Sequence, residues 1–348
     1  MTRKVKVGNV CIGGGSPVSV QTMLDKPSYD IEGNVKQACE VEESGCDILR
    51  IAVPDEKSLL TFEAVKRAVS IPLVADIHYD YRLAVKAVDC GADKIRINPG
   101  NIGGEEKVRI VTDKCKNNGT AIRIGVNAGS LERQILSKYG AATPQALCES
   151  ALSGVSLLEK FGFENTVVSI KTSSVVDTVE AYKLFSEKSD YPLHIGVTES
   201  GTVGIGTIRS SVALGSLLLS GIGDTLRVSL SDDPVKEVEV GLNILKACGL
   251  KTGVQLVSCP TCGRTRINVK ELAVAVEKMI EKIDLPLKIA VMGCVVNGPG
   301  EARDADLGIT GGNGVGLIFK KGEVIEKVTE EELLPTFEKY IKELTASK

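Results

Sequence analysis

The sequence predicts an α/β protein in two parts. An N-terminal (β/α)8 barrel of the TIM type spans residues 1–250, and a smaller C-terminal α+β domain spans 254–348. Three observations carry this expectation. Eight short β-branched runs alternate with longer runs of helical period up to about residue 250. The glycine-flanked stretch Gly249–Gly253 then reads as a linker. The remaining residues mix strands and helices around two cysteine motifs.

The predicted barrel strands, in order, are Val18–Met23, Asp47–Val53, Pro72–His78, Lys94–Pro99, Ala121–Asn127, Thr166–Ser173, Pro192–Glu199 and Asp224–Ser231. Each is followed by a segment of helical length. In Tyr81–Cys90, for example, Tyr81, Ala84, Val85 and Val88 fall at i, i+3, i+4 and i+7, and Asp233–Cys248 is the last of the series. Such alternation calls for a parallel sheet with right-handed crossovers. Eight repeats suit a closed barrel better than an open doubly wound sheet. Stretches such as Gly204-Ile205-Gly206 lack the full dinucleotide fingerprint and its following acidic residue. In the second part, a strand runs into Cys259, a helix lies near Val269–Ile283, and strand Leu287–Met292 leads into Cys294. Strands Leu307–Thr310 and Val315–Phe319 and a charged helix Glu330–Thr345 complete it.

Composition narrows the function. The chain of 348 residues is 43% hydrophobic and 25% charged, ordinary for a soluble globular protein. A net charge of −3 argues against non-specific nucleic-acid binding, and 4% aromatics with no Trp against a base-stacking platform. No apolar run reaches the roughly 18 residues of a membrane span. The start, Met1-Thr2-Arg3-Lys4-Val5, lacks the apolar core of a signal peptide. The expectation is a cytoplasmic protein with reduced thiols and neither nucleic-acid nor membrane partners. Cys11, Cys39, Cys46, Cys90, Cys115, Cys148 and Cys248, at unrelated spacings, read as small buried apolar residues.

Alternation along the strands gives each barrel strand a polar face. Arg96 shares its face with Asn98, Arg123 with Asn127, Lys171 with Ser169 and Ser173, and Arg227 with Ser229. Arg50 precedes Ile51, and Asp76 and His78 flank Ile77. The apolar faces must pack on the outer helices, so Arg50, Arg96, Arg123, Lys171 and Arg227 converge inside the barrel. Unpaired charge in a core is costly, and Asp76, Glu199 and the other carboxylates look too few to pair with all five. The expectation is a cup for a polyanion, gripped by guanidinium forks and an ammonium at the C-terminal ends of the strands. Asp76, His78 and Glu199 are candidates for proton transfer or hydroxyl binding. His194, early in its strand, reads as structural.

The cysteine motifs are Ser-Cys-Pro-Thr-Cys-Gly-Arg at 258–264 and Met-Gly-Cys-Val-Val-Asn-Gly-Pro-Gly-Glu at 292–301. A C-x-x-C pair with a third thiolate from a Gly-rich loop makes a soft-metal site. Three cysteines leave the fourth ligand open; Cys248 could supply it to a structural zinc.

Both motifs resemble those of the 4-hydroxy-3-methylbut-2-enyl diphosphate synthases, iron–sulfur enzymes of the methylerythritol phosphate route to isoprenoids. So do Lys94–Asn101, Arg123–Ser130 and Val74–His78. The resemblance covers essentially the whole chain and is to the bacterial two-domain form. It implies a [4Fe-4S] cluster held by Cys259, Cys262, Cys294 and the Glu301 carboxylate. It implies 2-C-methyl-D-erythritol 2,4-cyclodiphosphate as substrate, opened and dehydroxylated by two electrons from a flavodoxin or ferredoxin. Arg50, Arg96, Arg123, Lys171 and Arg227 would then hold the diphosphate, with Asn127, Ser229 and Asn297 as further substrate contacts. Glu199, Asp76, His78 and Glu301 are the expected catalytic groups.

A head-to-tail homodimer is expected on geometric grounds. The last barrel helix releases the chain at the barrel floor, opposite the cup. The linker spans at most about 20 Å, against a barrel body roughly 45 Å across. The cluster domain therefore reaches a partner's cup rather than its own. Two other readings fit the residues alone. One is a non-redox barrel enzyme acting on a phosphorylated or pterin-like substrate, with structural zinc. The other is an iron–sulfur carrier or regulator whose barrel binds a metabolite.

Overall fold

The computed structural model describes residues 1–98, 100–281, 283–294, 300 and 302–346. The chain divides into two compact units, Met1–Leu250 and Lys251–Lys348. The first opens with an antiparallel hairpin of β1 (Val5–Val7) and β2 (Val10–Ile12). The sequence reading misses it, because three-residue strands carry almost no period-2 signal.

Eight parallel strands follow: β3 (Ser19–Met23), β4 (Ile48–Ala52), β5 (Leu73–Asp76), β6 (Lys94–Ile97), β7 (Ala121–Asn127), β8 (Thr166–Lys171), β9 (His194–Ile195) and β10 (Thr225–Leu226). They are ordered β8-β7-β6-β5-β4-β3-β10-β9, and a parallel bridge from Val168 to Leu193 joins the two ends, closing a (β/α)8 barrel. Helices cover the outside. Asp30, Asp80, Thr143, Ser174 and Asp233 cap five of them by accepting a backbone N–H of the first turn.

β9 and β10 are shorter than the expected runs Pro192–Glu199 and Asp224–Ser231. Past them isolated backbone bonds persist, from Arg227 N to Ile195 O (3.0 Å), Thr198 N to Thr172 O (3.1 Å) and Ser231 N to Gly201 O (3.0 Å). An extra helix, Arg133–Tyr139, follows β7.

The outward faces, including Ile95, Ile97, Ile122, Ile124, Val168 and Ile170, bury against the helices. At the barrel floor, Val5, Val7 and Ile12 of the hairpin pack on Ile48, Val74, Ala121 and Val167, which stand at the N-terminal ends of their strands. Cys46, Cys115 and Cys148 are buried, whereas Cys11, Cys39, Cys90 and Cys248 are only half-buried. Cys90 and Cys248 sit at helix C-caps, where the surface comes close.

The second unit is a five-stranded sheet ordered β11 (Gln255–Ser258), β12 (Lys288–Val291), β13 (Leu307–Gly312), β14 (Val315–Lys320) and β15 (Glu323–Thr329). The first three strands run parallel and the last two join antiparallel. Helices Val269–Ile280 and Leu333–Ala346 bury Val276, Phe337 and Ile341 against Ile289, Val291, Ile309 and Ile318. β15 is a charged edge strand, so its sequence reads as loop. The closing helix accordingly starts at Leu333 rather than Glu330.

Candidate active site

The inward faces of six barrel strands, β3 to β8, and the chain just beyond β5, β9 and β10 build a cavity of about 250 Å³. It is lined by Arg50, Asp76, His78, Arg96, Arg123, Asn127, Ser169, Lys171, Arg227 and Ser229, together with Met23 and Thr198. Register explains the convergence: Asp76 pairs with Arg96, Arg96 with Arg123, and Asn127 with Lys171 across neighbouring strands. Two glycines make the room. A Cβ on Gly196 would stand 2.8 Å from Lys171 Nζ, and one on Gly125 would collide with Arg96 Nε. Neither position tolerates a side chain while these cations stay in place.

Asp76, 4% exposed, is the acidic centre. Arg96 Nη1 lies 3.3 Å from its Oδ1, with Arg50 Nε at 3.7 Å and His78 Nε2 at 4.0 Å from its Oδ2. Burial alone would raise the Asp76 pKa. The charges of Arg50, Arg96 and Arg123 outweigh it and hold the carboxyl below the usual range. Burial drives the Arg50 guanidinium down to about 10, with Asp76 opposing and the neighbouring Arg227 and Arg96 adding. Asn127, with its amide oriented by its partners, accepts from Arg96 Nη2 at 3.2 Å.

Arg123 is 1% exposed, and its Nε and Nη1 have no partner among the described residues. Lys171, 7% exposed, has no ion pair among them either. Burial, reinforced by neighbouring cations, pushes both well below their ordinary pKa values. These two cations are what an anion would find free.

Sequence reading misses Glu237, which enters from the helix Pro234–Ala247. Its carboxylate, 2% exposed, takes Arg227 Nε and Nη2 at 3.0 Å each, Thr22 Oγ1 at 2.5 Å and the Leu230 N–H at 2.9 Å. The signal was present: Glu237 lies on the buried stripe with Pro234, Val238, Gly241 and Ile244, where only a paired carboxylate belongs. Five cations therefore face two carboxylates, Asp76 and Glu237, and the surplus is positive. Glu237→Gln should strand the Arg227 charge and cost about 2–3 kcal/mol of barrel stability, the lower end for a buried pair because Arg227 is partly exposed. A denaturant midpoint indistinguishable from wild type would contradict this pairing.

Glu199 stands apart from the expectation. It is exposed, does not line the cavity, and holds a left-handed backbone at φ 54°. Such strain in a non-glycine residue just past a barrel strand is more common at functional positions than elsewhere. His194 is wholly buried. Asn98, just past β6, holds the turn that follows β7, its Nδ2 donating to Ser130 O at 3.1 Å.

In the second unit the parallel pair β11/β12 delivers both cysteine motifs to the same end of the sheet, since Ser258 pairs with Val291. The Gly293 N–H donates to Cys259 Sγ at 3.0 Å, and the Cys262 N–H to Thr265 Oγ1 at 2.9 Å. The Arg264 backbone N–H and guanidinium hold the Cys262 thiol below its usual pKa. These are the features of a thiolate prepared to bind soft metal. Among the described residues no three metal-ligating side chains converge on one point. Glu301 and Asn297, the remaining candidates, lie outside the described residues. The donor set of Cys259, Cys262 and Cys294 fits an iron–sulfur group in softness, and β11 and β12 bring the segments that carry them to the same end of the sheet.

Comparison with known proteins agrees with this division. The GcpE TIM-barrel domain matches residues 2–242 and the GcpE protein C-terminal domain residues 255–343. A Caldanaerobacter subterraneus subsp. tengcongensis protein named 4-hydroxy-3-methylbut-2-en-1-yl diphosphate synthase (flavodoxin) is 58% identical, covering 99% of this chain and 98% of its own. One of the same name from Clostridium tetani is 55% identical, covering 96% of each. Among solved structures, the Yersinia pestis dihydropteroate synthase superposes with a TM-score of 0.51 at 11% identity, over 72% of this chain and 100% of that one. At that identity the likeness shows the shared barrel alone and lends no support to a pterin substrate. No described helix is long and apolar enough to cross a membrane. Both halves match one family and the relatives share more than half of all residues, so the chain belongs to the GcpE family.

Proposed function

We infer that the chain carries out the reaction for which its relatives are named, the reductive ring opening and dehydroxylation of 2-C-methyl-D-erythritol 2,4-cyclodiphosphate to 4-hydroxy-3-methylbut-2-enyl diphosphate. The observation that carries this is the GcpE family match of both halves, joined to a barrel cavity with a positive surplus. The family match supports this reading and not the zinc-containing alternative.

Residues 1–250 bind the substrate and 254–348 hold the cluster. Arg123 and Lys171, free of partners, grip the diphosphate first; Arg50, Arg96 and Arg227, already tethered to carboxylates, shape the wall around it. Asn127, Ser229 and Asn297 orient the carbon chain. The cationic field neutralises the charge that develops as the cyclic diphosphate opens. Asp76, held ionised, accepts from a substrate hydroxyl or from His78. The His78 imidazole, half-exposed and 4.0 Å from Asp76, can carry a proton toward the departing hydroxyl. Glu199, at the rim, is the second proton source.

Cys259, Cys262, Cys294 and Glu301 would hold a [4Fe-4S] cluster, which when bound supplies the two electrons. A hard carboxylate is a labile ligand on a soft cluster. A flavodoxin or ferredoxin delivers the electrons in the cytoplasm, and a head-to-tail homodimer brings each cluster domain to the partner's cup. The full chain purified without oxygen should be brown and, with reduced flavodoxin, should convert the cyclic diphosphate to the allylic diphosphate. A colourless protein containing zinc, or a brown one that never turns over, would defeat the reading.

A further inference from the structure

Beneath the cup the barrel interior holds a second tier of polar side chains. Lys94 begins β6 two residues below Arg96, and alternation turns it inward. Its side chain is wholly buried, and Nζ has no partner among the described residues. The same is true of both polar atoms of the Gln21 amide, of His194 Nε2, and of Nε and Nη1 of Arg123. Four strands, β3, β6, β7 and β9, thus carry unpartnered polar atoms in the barrel interior. The hairpin floor of Val5, Val7 and Ile12 closes it from below. Buried polar atoms in native proteins are rarely left dry, and ordered water is the usual partner where protein supplies none.

The charges around Lys94 are almost all positive. Arg123 on β7 and Arg50 on β4 act on it most strongly. Arg96 on its own strand, Lys171 on β8, His194 on β9 and Arg227 beyond β10 complete the surroundings, while β3 offers only the neutral Gln21. The two carboxylates of the interior are engaged elsewhere, Asp76 with Arg50 and Arg96, and Glu237 with Arg227.

We propose that Lys94 is a second-tier anion-binding group, a neutral amine in internal water while the cup is empty, which takes up one proton from solvent as a diphosphate fills the cup. This rests on the cup being the diphosphate site. Burial and the neighbouring cations favour the uncharged amine, and a polyanion above it reverses that field. His194 and Lys171, also pushed well below their ordinary values by burial and neighbouring cations, are present in wild type and in a Lys94 variant alike, so a difference between the two reports Lys94.

The sign follows from linkage. Lys94 has a depressed pKa in the empty barrel and a higher one beneath the anion. Between the two values, binding consumes up to one proton, and affinity falls by as much as about tenfold per pH unit as pH rises. Below both values Lys94 is already charged and no uptake occurs.

The test is calorimetric titration of inorganic pyrophosphate into the full chain in buffers of different ionisation enthalpy, for wild type and Lys94→Met, across roughly pH 6 to 9. Protonation of pyrophosphate itself is common to both proteins and cancels in the difference. Wild type should consume more protons, the excess approaching one, and only wild type should show the excess loss of affinity with pH. Equal uptake in the two proteins overturns the role of Lys94. No pyrophosphate binding by wild type overturns the cup reading and this proposal with it. If Met prevents folding, Lys94→Gln, uncharged and able to bond the same water, takes its place. A high-resolution structure of the unliganded wild type should show water within hydrogen-bond distance of Lys94 Nζ; a dry Nζ would also overturn the proposal.

Discussion

Protein carrying Cys294→Ser should remain folded and turn over no substrate, yet regain activity when mixed with a second variant that is also defective. Cys294 is buried three residues past the end of β12, and Ser fills nearly the same volume without a thiolate. Lys171→Ala leaves the cysteines intact and removes one of the two free cations of the cup. In a head-to-tail dimer each active site takes its barrel from one chain and its cluster domain from the other. A mixed dimer then has one sound site and one doubly damaged site, so it should regain about half the activity of a wild-type dimer at subsaturating substrate. The Cys259→Ser and Cys262→Ser proteins should behave as Cys294→Ser does. Activity that stays absent after demonstrated subunit exchange, or a monomer active at assay concentration, would refute the composite site.

The second large effect belongs to Arg123 and Lys171. Replacing either by Met should weaken diphosphate binding roughly 10- to 100-fold, or about 1.5–3 kcal/mol, the value of a charge-assisted contact. The same substitutions should raise the thermal midpoint of the empty protein, because each removes a buried charge that has no carboxylate of its own. Opposite signs in affinity and stability distinguish a binding cation from a structural one. Arg96→Lys should not restore function, since Arg96 uses separate nitrogens for Asp76 and Asn127. Unchanged affinity in both Met variants, or a falling midpoint, would refute the cup.

Much of the barrel was legible because periodicity survives wherever an element has to bury one face. The polar face of β6 and β7, reading Arg96, Arg123 and Asn127, follows from counting by twos, and the cavity walls stand where that count puts them. What escaped had other causes. The strands of the floor hairpin are too short to carry a period. Glu237 acts from a helix on the far side of the barrel wall, and no pattern within a strand points to it. Met23 and Thr198 line the cavity without a charge to draw notice. Lys94 has the same parity as Arg96, but a lysine at the start of a strand reads as solvent-facing until the hairpin is seen beneath it. Glu199 reads as a candidate for proton transfer or hydroxyl binding, whereas it is exposed, off the cavity lining and left-handed in backbone, four residues past the end of β9.

The floor hairpin also sets the traffic of the enzyme. With Val5, Val7 and Ile12 packed into the N-terminal end, that end of the barrel is closed and the cup stands at the other. Whatever enters the cup must leave by the same opening, and two diphosphates cannot pass one another in about 250 Å³. Release of product must therefore precede entry of the next substrate. If the cup is the diphosphate site, any small diphosphate that fits it should act as a stopper, competing with substrate whatever its carbon skeleton.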